Sequence, residues 1–82
     1  MLERRTTRPL AEIVPLTGLT RTPGGARALI GRGGVVVSGV LVSDPLATIS
    51  LEVPIILSVG KRRFLVELVP DGLVVLPLDE RY

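Results

Sequence analysis

The 82-residue sequence predicts a small α+β domain, in which two short helices precede an antiparallel sheet. Apolar residues recur at helical spacing up to about residue 30, and from residue 35 onward β-branched runs alternate with turn signals. The sequence is 46% hydrophobic but only 2% aromatic, so the core must be aliphatic, and a disordered chain is excluded. A chain of this length forms one domain near the lower limit of independent stability.

The first helix signal follows a basic leader, residues 1–8. Thr7 is a candidate cap, and Pro9 suits the first turn of a helix. Pro15 lacks a backbone donor, so the helix either stops just before it or kinks there. Gly18 fits a left-handed C-terminal position. The apolar residues that share one face of this helix are Leu10, Ile13 and Val14.

The second helix has clearer boundaries. Thr22 is a cap, Pro23 occupies the first helical position, and the glycines at 33 and 34 end the helix. Because interior glycines weaken it, tertiary packing must hold this helix together. Its apolar stripe consists of Ala26, Leu29 and Ile30.

The rest of the chain predicts strands. Ser38-Gly39 is a two-residue hairpin signal, residues 60–63 form a turn, and Phe64 is expected to lie in the core. Residues 9–69 make up the main domain, and 70–82 are an acidic extension that either adds a strand or packs on a neighbouring domain. The expected strands span residues 35–37, 40–42, 48–51, 54–59, 64–69 and 73–76.

Charge is unevenly distributed along the chain. Residues 4–63 carry nine bases and three acids, whereas residues 64–82 carry one base and four acids. This segregation favours a surface that faces a polyanion, although scattered, solvated charge explains it about equally well. Two clusters contain most of the bases. They are Arg21, Arg27 and Arg32 around the second helix, and Lys61, Arg62 and Arg63 in the predicted turn.

Several kinds of chemistry are excluded. The sequence has no Cys and no His, which removes disulfides, Cys- or His-ligated zinc and any His-based triad. The carboxylates are scattered and no phosphate-binding loop is present, so we expect no catalytic residue, no metal and no cofactor. The longest charge-free run, residues 33–43, is too short to span a bilayer, and no signal peptide is readable. We therefore expect a cytoplasmic chain with no membrane partner.

The clustered cations indicate phosphate recognition. Guanidinium groups bind phosphate oxygens in bidentate fashion and remain charged at any relevant pH. Because single-strand binders stack bases on exposed rings and this chain has only Phe64 and Tyr82, a folded RNA read by its shape and backbone is the better fit.

The segment from Gly18 to Ile30, GLTRTPGGARALI, resembles the signature of the S-four RNA-binding domain, a family first named from a small-subunit ribosomal protein. The glycines, valines and Asp44-Pro45 between residues 33 and 45 continue the match. Residues 59–64, VGKRRF, look like the ending typical of the tyrosyl-tRNA synthetase C-terminal domain within that family. Together the matching segments cover about residues 10 to 68.

The resemblance implies an αα-β fold in which the second helix and the following hairpin face RNA. It implies that tRNA is the partner, held by its long variable arm and its anticodon side, and that catalysis resides in a separate synthetase domain. Arg27 matches an RNA-contacting arginine of the family, and residues 61–63 match its basic end motif. Ser38, which stands at the hairpin asparagine of the family, is a further candidate RNA-binding residue. Gly25 replaces a glutamate of the family pattern, and Ala28 replaces an arginine.

Two other functions remain open. The first is a free-standing member of the same family that binds ribosomal or other structured RNA. The second is a degenerate domain that contacts protein through exposed valine strands, as an interdomain face or by self-association. Selectivity for one tRNA separates the synthetase appendage from the free-standing protein, and concentration-dependent sedimentation without RNA detects self-association.

Overall fold

The computed structural model describes residues 6–78. Most of the leader, residues 1–5, and the end of the acidic extension, residues 79–82, lie outside the described residues. The chain forms two helices, one 3-10 helix and seven strands in this described part. In order they are β1 (Thr7–Pro9), α1 (Leu10–Ile13), the 3-10 helix (Val14–Thr17), α2 (Pro23–Gly31), β2 (Val35–Val37), β3 (Val40–Leu41), β4 (Thr48–Ser50), β5 (Ile55–Val59), β6 (Arg62–Val69) and β7 (Gly72–Pro77).

The strands form two antiparallel sheets. The larger has five strands in the order β3-β2-β5-β6-β7, and the smaller pairs β1 with β4. The predicted α+β class, with short helices before most of an antiparallel sheet, is confirmed. The extension predicted after residue 69 supplies β7, which pairs with β6 along its whole length. Of the two outcomes left open for this segment, the added strand is the one observed.

The smaller sheet differs from the sequence prediction. Thr7 and Arg8, placed in the leader by the sequence, lie in β1, so Thr7 does not cap the first helix. Their partner β4 does not join the larger sheet. Ile49, opposite Arg8, packs against the core, and Leu51, just beyond, is buried in it. The N–H of Leu51 donates to the carbonyl of Thr6 at 2.7 Å. This pairing is long-range, and no local signal marks it.

Pro15 decides the form of the first helix. Because its ring nitrogen carries no hydrogen, the α-helical bond to the carbonyl of Ala11 cannot form. The α-helix therefore ends at Ile13, and the chain continues as a 3-10 helix over Val14–Thr17. Gly18 then closes it at a φ of 83°, the left-handed position that the sequence predicts.

The second helix follows its sequence signals. The Oγ1 of Thr22 accepts a hydrogen bond from the N–H of Gly25 at 3.0 Å, which caps the helix. Gly33, at a φ of 82°, ends it. At Gly34 the chain passes so close to the helix that a Cβ there would lie 2.7 Å from Cδ1 of Leu29. Glycine at position 34 thus permits the close approach of β2 to α2.

One face of the five-stranded sheet, the inner face, packs against the helices and forms the core. Side chains alternate along each strand, so Leu57 on β5 and Phe64 and Val66 on β6 point inward. Phe64 is 3% exposed, which confirms its predicted place in the core. The helices contribute the fully buried Leu10, Ile13, Val14, Ala26 and Ile30. The opposite face is called the outer face below.

Candidate nucleic-acid interface

The end of α2 lies beside the turn between β5 and β6. Arg32 is the C-terminal cap of α2, and its backbone N–H lies 3.2 Å from the carbonyl of Ala28. Two residues later, the carbonyl of Gly34 accepts a hydrogen bond from the N–H of Gly60 at 3.2 Å. Gly60 precedes Lys61 in the turn, so this bond brings Arg32 and Lys61, which are far apart in sequence, to the same edge of the sheet.

Strand register extends this edge to a third cation. Val35 lies opposite Val59, and Val59 lies opposite Arg62, so β2, β5 and β6 meet at one edge. Neighbouring strands are about 4.8 Å apart, which places the backbones of Arg62 and Val35 about 10 Å from each other. The cations here are all exposed, and we call them the basic edge: Arg32, Lys61 and Arg62.

The predicted basic turn is split by the start of β6. Only Gly60 and Lys61 form the turn, since Arg62 and Arg63 are already the first two residues of the strand. The expectation that residues 60–63 form one turn is therefore wrong. Neighbouring residues of a strand point to opposite faces, so Arg62 shares the inner side with Phe64, whereas Arg63 lies on the outer face. Since Phe64 is predicted to point inward, alternation along the strand also predicts that Arg63, its neighbour, points outward.

Arg62 is held over an aromatic ring. Its guanidinium carbon lies 5.5 Å from the ring centroid of Phe64, within the range of a cation–π interaction. Stacking uses the flat face of a guanidinium group, whereas its N–H donors lie in the plane of the group. Arg62 is thus oriented at the rim of the core with its charge at the surface.

The other predicted site residues lie elsewhere. Arg27 is exposed on α2, next to the buried Ala26. Arg21 precedes the cap of α2 at the other end of the helix from Arg32. A helix of nine residues is about 14 Å long, so Arg21 is separated from the basic edge by that length.

Ser38 lies at the far end of β2 from the basic edge. It has a φ of 48° and is followed by Gly39 at 85°, the pair of left-handed residues that a type I′ hairpin turn requires. Its N–H donates to the carbonyl of Ile56 at 2.7 Å, and its Oγ accepts from the N–H of Ile56 at 3.4 Å. The geometry thus gives Ser38 a part in the turn and does not bring it to the basic edge.

The carboxylates in the described part of the chain are dispersed. No three acidic side chains among residues 6–78 gather into a group that could hold a metal ion. Asp44 stabilises the turn in which it lies, because its Oδ1 accepts a hydrogen bond from the N–H of Leu46 at 2.9 Å. None of the helices within these residues is both long enough and apolar enough to cross a bilayer.

The sequence matches no model of a protein family, and a search of curated proteins returns no significant match. The likeness to the S-four family therefore rests on the motifs around Gly18 to Asp44 and around residues 59–64.

Proposed function

We propose that this chain is an RNA-binding module that holds the phosphate backbone of a structured RNA at the basic edge. One observation carries the proposal. The hydrogen bond between Gly60 and Gly34 joins the end of α2 to the turn after β5, so Arg32 and Lys61 lie at the same edge of the sheet. Cations gathered from separate segments form a compact positive surface, which attracts a polyanion more strongly than the same charges dispersed.

The three cations suit phosphate in different ways. Arg32 and Arg62 carry planar forks of donors that match phosphate oxygens, and Lys61 adds a compact charge on a flexible stem. Arg62 enters this site already oriented by Phe64, so less of its freedom is lost on binding. Arg27 is also exposed on α2, but it lies five residues before Arg32, about 140° around the helix, and so remains outside the basic edge.

We further propose that the RNA is a tRNA and that the chain is the S-four-like, tRNA-binding appendage of a tyrosyl-tRNA synthetase. The support is the VGKRRF motif of residues 59–64 and the GLTRTPGGARALI motif that leads into α2. The order of two helices followed by a hairpin agrees with the αα-β arrangement implied by that resemblance. In this proposal the catalytic chemistry belongs to a separate synthetase domain.

The test is binding of the whole chain to two tRNAs across a salt series. One is a tyrosine tRNA with a long variable arm, and the other has a short variable arm. Each phosphate contact contributes about 0.9 to the slope of log affinity against log salt for duplex nucleic acid. We expect the double variant Arg32→Gln/Lys61→Gln to lower that slope by about 1.8.

A matched control is Arg21→Gln/Arg63→Gln, which removes the same charge from positions outside the basic edge. We expect this control to retain most of the slope. Equal loss in both double variants would contradict the placement of the interface, and absence of binding at low salt would contradict RNA binding altogether. Preference for the long variable arm supports the synthetase appendage, whereas equal affinity for both tRNAs leaves a general structured-RNA module.

A further inference from the structure

The outer face of the five-stranded sheet is apolar and has no covering in the described part of the chain. None of the buried residues of the core lies on it, and Leu41 and Leu76 are 58% and 49% exposed. Apolar surface that remains contiguous on a small domain marks an interaction site. The apolar side chains that alternation and register place on this face include Val36, Leu41, Ile56, Leu65, Val74 and Leu76.

Register arranges these side chains in rows across the strands. The central row consists of Ile56, Leu65 and Leu76, which lie opposite one another on β5, β6 and β7. Two residues before Leu65 on the same strand stands Arg63, and two residues after it stands Glu67. The two charges are therefore equidistant from the apolar row and lie on opposite sides of it.

We infer that a second copy of this chain docks on the outer face, with a two-fold axis that passes over the central row at right angles to the strands. Rotation about this axis reverses the direction of each strand and leaves the order of the strands unchanged. Leu65 then faces the partner's Leu65, while Arg63 faces the partner's Glu67 and Glu67 faces the partner's Arg63. The face is complementary to itself in both charge and hydrophobicity, as a two-fold interface requires.

Charge favours the axis at right angles to the strands over an axis parallel to them, which is the other simple way to pack the two faces. An axis parallel to the strands would place Arg63 against the partner's Arg63 and Glu67 against the partner's Glu67, and like charges in contact across an interface are strongly unfavourable. Apolar residues beside β6 also suit the chosen axis, because it would bring them into contact with one another. Leu78, whose N–H donates to the carbonyl of Arg63 at 2.8 Å, would pack on the partner's Val74.

The size of the face predicts a weak dimer. Five strands at about 4.8 Å spacing give a surface about 24 Å wide, and the edge strand β3 is only two residues long. The longest strand, β6, has eight residues and is about 26 Å long, so the face covers at most about 600 Å², whereas a standard stable interface buries about 800 Å² on each partner. We therefore expect dissociation in the micromolar range or weaker, with the two sheets about 10 Å apart.

Sedimentation equilibrium of the whole chain without RNA tests the inference. We expect the average mass to rise with concentration from the 8.8 kDa of one chain toward that of a dimer. Arg63→Glu and Glu67→Arg should each weaken association about tenfold or more, because each sets like charges face to face in two places. The charge-swapped double variant Arg63→Glu/Glu67→Arg should regain most of the affinity.

Two further variants separate a specific effect on the outer face from a general effect of charge or a loss of folding. Glu52→Arg makes the same charge change as Glu67→Arg at an exposed residue outside the strands and should leave association unchanged. Leu76→Ser alters the central row at a half-exposed position, so it should weaken association while the circular dichroism spectrum stays native. A chain that remains monomeric at all concentrations, or a double swap no better than its single variants, would overturn the inference. Since RNA is absent, this outcome is independent of RNA binding.

Discussion

The two faces of the five-stranded sheet differ in what covers them. The inner face is buried under the helices, with Leu57 and Val66 fully inaccessible, whereas the outer face leaves Leu76 half exposed. A single strand, β6, serves both faces, because its side chains alternate. The adjacent residues Arg62 and Arg63 consequently belong to different surfaces, one at the rim of the core and one on the open face. Adjacent charges in a sequence therefore need not form one binding site.

Truncating one leucine on each face should give the largest difference in the free energy of unfolding. Leu57→Ala on the inner face removes a fully buried side chain and should lower the free energy of unfolding by about 2–5 kcal/mol. Leu76→Ala on the outer face should change it by about 0.5 kcal/mol or less. Urea denaturation followed by circular dichroism, at a concentration where the chain is monomeric, measures both. Similar losses would contradict the assignment of the two faces.

Two glycines of the α2 region should respond in opposite directions to alanine. Gly34→Ala should lower the free energy of unfolding by about 1 kcal/mol, because its Cβ would lie 2.7 Å from Cδ1 of Leu29, which must move, and 3.3 Å from the backbone carbonyl oxygen of Leu29. Gly25→Ala should raise it by about 0.5–1 kcal/mol, since its Cβ finds only ordinary contacts and alanine favours the helix. Thermal unfolding of the two variants beside the parent chain provides the measurement. Stabilisation by Gly34→Ala would show that β2 does not approach α2 this closely.

The hairpin turn should show a smaller effect. Ser38→Asn should raise the free energy of unfolding by about 0.5 kcal/mol, because asparagine tolerates the φ of 48° better than serine and Asn-Gly favours a type I′ turn. An increase of this size raises the melting temperature by about 2–4 °C in a domain of this length. The control is Ser58→Asn in the extended strand β5, where asparagine is disfavoured and no gain is expected. A gain at position 58 as large as that at 38 would contradict this account of the turn.

Local signals allowed much of the fold to be predicted. The cap at Thr22, the glycine stop after α2 and the Ser38-Gly39 turn each depend on a few neighbouring residues, and the structure has all three. The pairing of β1 with β4 was missed, because it joins segments about 40 residues apart and residues 7–9, unlike the expected strand at 48–51, carry no strand signal. For the candidate site, the sequence could indicate which cations were candidates but not which of them lie together. Which cations meet depends on the register of β2 with β5, a long-range property.

The binding of RNA by Arg62→Gln and Arg63→Gln, compared across a salt series, distinguishes an RNA interface at the basic edge from one on the outer face. The two variants lose the same charge at adjacent positions on opposite faces of the sheet, and a chain concentration at which the protein is monomeric removes the effect of Arg63 on the proposed dimer. We expect Arg62→Gln to lower the slope of log affinity against log salt by about 0.9 and Arg63→Gln to leave it nearly unchanged. Equal losses, or a larger loss for Arg63→Gln, would contradict an RNA interface at the basic edge.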